Sequence, residues 1–163
     1  MLIPKDDPRA AKMSSDVVVD KAGLADFLSD RHRWMLATTR GDGRPQMSLV
    51  TGAMTAAGSL VIASYPQRSK ALNARRNSLV SVAVMGPEFS SAWVQIDGTA
   101  EVVDMPEAGD AFVDYYRSIS GEHSDWDEYR QAMADQGKCM IVIEPTRWSP
   151  VSKGGFPPSL FEA

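Results

Sequence analysis

Cysteine is almost absent from this chain: Cys139 is the single one in 163 residues. That excludes an intrachain disulfide and a cysteine-based zinc site, and it fits a reducing, cytoplasmic setting. Histidine is nearly as scarce. His32 lies between Arg31 and Arg33 and reads as a surface residue. His123 has Glu122, Asp125 and Asp127 around it, but helix capping accounts for those acids without a metal. Two histidines in such contexts assemble no nucleophile–base–acid triad, so no catalytic residue is assigned and no metal is expected. No run of about 18 apolar residues exists to span a membrane. The first twenty residues hold no apolar stretch of the kind a secretory signal needs. Internal repeats, low-complexity tracts and strand–helix alternation with glycine-rich phosphate loops are all missing, which disfavours a doubly wound sheet.

What is there is an ordinary globular composition, 44% hydrophobic and 23% charged, of a length that suits one domain. The net charge is −4, which argues against a long polyanion such as nucleic acid. It hides an asymmetry. Residues 31–76 carry eight basic residues and one acidic residue, Asp42; the rest of the chain carries nine basic and twenty acidic. A basic segment in an acidic chain is a candidate anion site.

The apolar pattern reads as helix, three strands, helix, two strands, two helices, strand. Asp20 caps a short helix with Leu24, Phe27 and Leu28 on one face. Trp34–Thr39, Gln46–Met54 and Ser59–Ser64 are strands joined by short turns, Gly41-Asp42-Gly43 the clearest, and should pair as an antiparallel meander. A helix over Ser69–Arg76 follows Pro66. Leu79–Met85 and Ala92–Val103 are strands. Pro106 suits the first turn of a helix that Gly121 ends, and Ser124 with Asp127 suits a capping box for the next. Trp126, Tyr129 and Met133 fall on one face of that helix and read as core. Met140–Ile143 is the last clear strand, and Cys139 reads as a small buried hydrophobe. The expected organisation is an N-terminal arm over 1–19, a domain over 20–148 and an irregular tail over 149–163. The fold class is mainly β, an antiparallel barrel, closed or split, with peripheral helices.

Two stretches carry candidate chemistry. Ser64-Tyr65-Pro66-Gln67-Arg68-Ser69-Lys70 runs from a strand end into a helix. Arg68 and Lys70 can converge on one phosphate, with Ser64, Ser69 and the first-turn N–H groups adding donors. A solvated basic helix face would read the same way. Arg75 and Arg76 read as surface residues. In Arg44-Pro45-Gln46-Met47-Ser48, the side chains of Gln46 and Ser48 share one side of a strand. They suit hydrogen bonds to a flat heteroaromatic ring, or equally the polar outer face of a meander.

The segments Trp34–Gln46 and Arg68–Asn73, with Arg75-Arg76 behind, resemble the FMN-binding split-barrel superfamily that is typified by pyridoxamine 5'-phosphate oxidase. The stretch Ser120–Met133 is similar to the actinobacterial branch that uses the deazaflavin coenzyme F-420. The resemblance covers residues 20–148. It implies a six-stranded antiparallel split barrel, a homodimer, and two cofactor sites in the dimer cleft. Arg68 and Lys70 match the phosphate-binding positions, and Pro45, Gln46 and Ser48 the strand against the ring. Ser64 and Asn73 match positions near the phosphate and ribityl chain. Trp93 and Gln95 match the strand offered by the partner subunit, although on their own they read as easily as core and surface. The chain ends in Thr146-Arg147-Trp148-Ser149-Pro150 without the Arg- and His-bearing substrate motif of true pyridoxamine 5'-phosphate oxidases. The expectation is therefore an F-420-dependent oxidoreductase acting on a flat conjugated small molecule. FMN is the alternative cofactor, and a non-catalytic flavin- or haem-binding protein the alternative class.

Overall fold

The computed structural model describes residues 2–162. Six strands form the barrel: β2 (Arg33–Thr39), β3 (Pro45–Met54), β4 (Leu60–Ser64), β5 (Leu79–Val84), β6 (Val94–Asp104) and β7 (Cys139–Trp148). They close antiparallel in the order β2-β3-β4-β7-β6-β5; the sequence pattern predicts the mainly β antiparallel barrel, and the resemblance its six-stranded split-barrel type. The hairpin between β2 and β3 turns where expected. Gly43 takes a positive φ of 83°, and the Asp42 carboxylate accepts the Arg44 N–H at 3.1 Å. An L-residue with a Cβ would be strained at that φ.

Alternation builds the interior. Trp34 and Leu36 on β2, Val80, Val82 and Val84 on β5, and Val94 and Ile96 on β6 all point inward and are buried. Leu24 and Leu28 of α1 (Lys21–Leu28) join the same core, with Asp20 capping the helix through the Gly23 N–H at 2.8 Å. A second core lies outside the barrel. There α3 (Gly109–Ser120) and α4 (Trp126–Asp135) pack Phe112 and Met133 against Ala53, Val61 and Met140. That outer layer explains why β4 is buried on both faces. Cys139 is buried, as a small hydrophobe should be.

Several boundaries differ from the sequence expectation. Pro106 precedes α3 instead of starting it, because the helix begins at Gly109. Asp125, not Ser124, caps α4: its carboxylate accepts the N–H groups of Asp127 and Glu128, both at 3.0 Å. The last barrel strand runs from Cys139 to Trp148, well past Ile143. The terminal segments contain short strands that no alternation announced. The first, β1 (Ser15–Val17), pairs antiparallel with β8 (Val151–Lys153), and Ile3 bridges to Phe161.

The meander leaves one seam. β3 pairs with β2 over Pro45–Thr51 but meets β4 only through Gly52, Ala53 and Met54. The first part of β3 therefore has a strand neighbour on one side only. Beside it, α2 (Ser69–Arg76) packs against β2, β3 and β6.

Candidate functional site

The amino end of α2 and the carboxyl end of β4 enclose a cavity of about 240 Å³ lined by Ala63, Ser64, Tyr65, Arg68, Lys70 and Lys138. Three cationic side chains thus face one small space. Arg68 occupies the N-cap of α2 with no side-chain cap bond, so the helix's first N–H groups lack a side-chain acceptor. Burial and the charge of Arg68 hold the Lys70 ammonium below the ordinary lysine range. Ser64 is only 6% exposed, and its Oγ has no hydrogen-bond partner among the described residues. A buried hydroxyl without a partner costs free energy unless something else satisfies it. An oxyanion in this cavity would accept from that hydroxyl and meet all three cations. The donor set fits a phosphate group.

Lys138 was not legible in the sequence. It follows the Gly137 turn after α4, far along the chain from Arg68, and only the β4–β7 pairing brings it in. Its ammonium lies 5.8 Å from the Tyr65 ring centroid. No local motif marks it.

A second polar group lies along β3 and α2. The Gln46 Nε2 donates to the Ser48 Oγ at 2.8 Å and to the Met47 carbonyl at 3.0 Å. Thr38, buried on the adjacent β2, donates to the Gln46 Oε1 at 3.2 Å. The Asn73 Nδ2 donates to the Thr38 hydroxyl at 3.1 Å, and Arg76 donates to the Asn73 Oδ1 at 2.7 Å. Gln46 and Ser48, singled out as a pair in the sequence, are thereby linked to Asn73. Thr38 and Arg76, not anticipated there, connect them. Arg76 is solvent-exposed, as expected of it, but is not idle.

The remaining candidates lie outside the cation cavity. Pro45 lines a cavity of about 540 Å³ shared with Thr38, Gln95 and Asp97. Gln95 is exposed, and its Nε2 donates to the Asp97 Oδ1 at 3.0 Å. Gln95, Ser81 and Arg147 all hydrogen-bond the Asp97 carboxylate and hold it below the usual range. Trp93, 41% exposed, lines a third, more apolar cavity with Arg33, Met85, Pro87 and Phe89. Within one chain, Trp93 and Gln95 do not join the cation cavity. His123 accepts the Asp125 N–H at 3.0 Å and sits against the rings of Tyr116, Trp126 and Tyr129. Among the described residues no cluster of three metal-ligating side chains occurs, and no helix is long and apolar enough to cross a membrane.

The sequence profile of the pyridoxamine 5'-phosphate oxidase family matches residues 21–152. Among solved structures the chain is similar to a conserved hypothetical protein from Mycobacterium tuberculosis. The two share 26% identity at a TM-score of 0.69, over 86% of this chain and 88% of that one. It is similar in fold to an F-420 reductase, with 23% identity and a TM-score of 0.60 over 81% of this chain and 98% of that one. It is also similar in fold to a haem-binding protein from Mycobacterium smegmatis, with 20% identity and a TM-score of 0.63 over 86% and 56% respectively. The matched span runs from α1 into β8 and so takes in the whole barrel together with the cation cavity and the Gln46–Ser48 strand; with its six-stranded split barrel, the chain belongs to the pyridoxamine 5'-phosphate oxidase family.

Proposed function

We propose that the protein is an oxidoreductase of the F-420 branch of this family, exchanging a hydride between the deazaflavin and a flat conjugated small molecule. The observation that carries this reading is the cation cavity, with Arg68, Lys70 and Lys138 around the unpartnered Ser64 hydroxyl. When bound, the deazaflavin supplies the hydride chemistry itself. The chain's share is to hold and orient. The three cations and Ser64 grip the phosphate, while Gln46 and Ser48 on β3 meet the edge of the ring. Pro45 contributes a strand start without an N–H, and Asn73 braces the site from α2. No side chain is required to deliver a proton if solvent does so, which suits a site without an evident acid.

FMN bears the same phosphate and is the competing cofactor. The basic excess of residues 31–76 favours the longer, more acidic F-420. The decisive experiment is a titration of the purified protein with F-420 and with FMN, beside the double variant Arg68→Ala/Lys70→Ala. We expect the double variant to lose at least 100-fold in affinity for the preferred cofactor, since charge-assisted phosphate contacts are the strong ones. Unchanged binding in the double variant would refute the assignment.

A homodimer belongs to this reading. On the outer face of the barrel, Leu49, Met35, Ala83 and Gln95 form one cross-strand row, and Met47, Ala37, Ser81 and Asp97 the next. Leu49 is 77% and Met47 60% exposed. A second copy covering this face would bury them and bring Trp93 and Gln95 of the partner subunit toward the cleft.

A non-catalytic ligand-binding role is the second reading, favoured by the fold likeness to the haem-binding protein. Tight binding of haem, without reduction of any acceptor by F-420- or FMN-loaded protein, would favour it.

A further inference from the structure

The hydrogen bonds from Arg76 to Ser48 have a direction, and both ends fix it. A guanidinium can only donate. The Asn73 atom facing Arg76 at 2.7 Å is therefore its carbonyl oxygen, and its amide nitrogen faces Thr38. The Thr38 oxygen accepts from that nitrogen, so its single proton goes elsewhere. Both acceptors within reach belong to Gln46: the side-chain Oε1 at 3.2 Å and the main-chain carbonyl at 3.4 Å. The other end agrees independently. The Met47 carbonyl can only accept, so the Gln46 atom 3.0 Å from it is the amide nitrogen. That nitrogen, which cannot accept, also donates to the Ser48 Oγ at 2.8 Å. Ser48 thus receives a hydrogen bond and retains its own proton, for which the described residues offer no acceptor.

We infer that Thr38, Asn73 and Arg76 are positioning residues whose one-way relay leaves Ser48 a hydrogen-bond donor toward the bound ring. Thr38 and Asn73 are 2% and 6% exposed, so water does not reverse the chain. The Met47 carbonyl and the Thr38 hydroxyl hold the two ends of the Gln46 amide; without a fixed amide the Ser48 hydroxyl would turn freely between donating and accepting. With it, the site selects a ring edge bearing a carbonyl oxygen or an unprotonated nitrogen and disfavours one bearing N–H. The donor also stabilises negative charge that reduction adds to the ring, so it raises the ring's reduction potential. The ligand side of this inference rests on the proposed cofactor; the direction of the relay rests on this chain alone.

The test is a double-mutant cycle on Thr38→Val and Ser48→Ala, with Thr38→Ser as rescue. Dissociation constants and midpoint potentials of bound FMN and F-420 are the readouts. Each single variant should weaken binding about tenfold, the loss of roughly one hydrogen bond, and shift the potential downward. The double variant should be no worse than Ser48→Ala, because the two act in series. Thr38→Ser should restore both readouts. Additive losses, or a potential that Thr38→Val leaves unmoved, would overturn the inference. Neutron diffraction from the wild-type protein in heavy water reads the direction without any ligand or substitution. A deuteron on Thr38 aimed at Gln46 supports the relay, and one aimed at Asn73 refutes it. If the wild type binds neither ring, the cofactor proposal fails, and the deuteron positions still decide the relay.

Discussion

Lys70 sits under opposed influences. Burial first, and then the charge of Arg68, lower the pKa of its ammonium; a bound phosphate would favour the charged form again. The sign follows. A cation whose folded-state pKa is depressed destabilises the fold while it is charged, and that penalty is relieved as the pH rises toward the ordinary lysine value. Ligand binding runs the other way. Affinity for a phosphate-bearing ligand should fall as the pH rises through the lowered Lys70 value, earlier than an unperturbed lysine would lose it. Lys70→Arg should flatten that profile, because arginine keeps its charge. Titrations of F-420 or FMN from neutral to alkaline pH check this, and a flat wild-type profile would remove Lys70 from the site. Arg68, Lys70, Ser64, Gln46 and Ser48 were readable as polar residues because each lies in a short motif at the end or start of a strand. Lys138, Thr38 and Arg76 were not, because what joins them to the others is strand pairing and a helix laid across a seam.

At the scale of elements, alternation marks strands such as β2 and β5, which have one face in the apolar interior; β4 and the start of β7 are buried on successive residues and are read instead as short apolar runs between turns. The ribbon of β1 and β8 was silent. Each strand is three residues long, and none of the residues of β1 is buried, so neither strand carries an alternating pattern. Helix starts were read to within a few residues only, as at Asp125, where two neighbouring residues can both cap and tertiary packing chooses. One element contact was invisible in the sequence. Gly52 on β3 lies beneath the Trp34 ring on β2, and a Cβ there would collide with the ring carbons. Trp34 is itself fixed by its indole N–H, which donates to the Arg31 carbonyl at 2.6 Å, and it is 1% exposed. The ring cannot move aside cheaply. Gly52→Ala should therefore destabilise the protein by about 2–3 kcal/mol through overpacking. Urea unfolding should show a lower midpoint at an unchanged slope; an unchanged midpoint would mean that the hairpin yields.

For the whole molecule, the net charge of −4 misleads about ligands, because the basic excess is gathered in the segment that builds the cation cavity. The exposed rows around Leu49 and Met47 give the proposed dimer its own test. Leu49→Arg should leave the monomer folded, since the side chain already faces outward, and should abolish the dimer in sedimentation. Cofactor affinity should fall with it, because in the proposed dimer each site would draw on both chains. A dimer that persists with arginine at that position would move the interface elsewhere. The pairing of the chain's ends has a separate consequence. The Ile3 N–H donates to the Leu160 carbonyl at 2.7 Å, and the Glu162 N–H donates back to the Ile3 carbonyl at 2.9 Å. Met13 bridges to Phe156 further in. In topological terms, residues 3 to 161 almost form a ring. A brief peptide joining the two ends would close that ring, and new ends could be opened at an exposed turn such as Gly41–Gly43 with the barrel and its cavity left where they are.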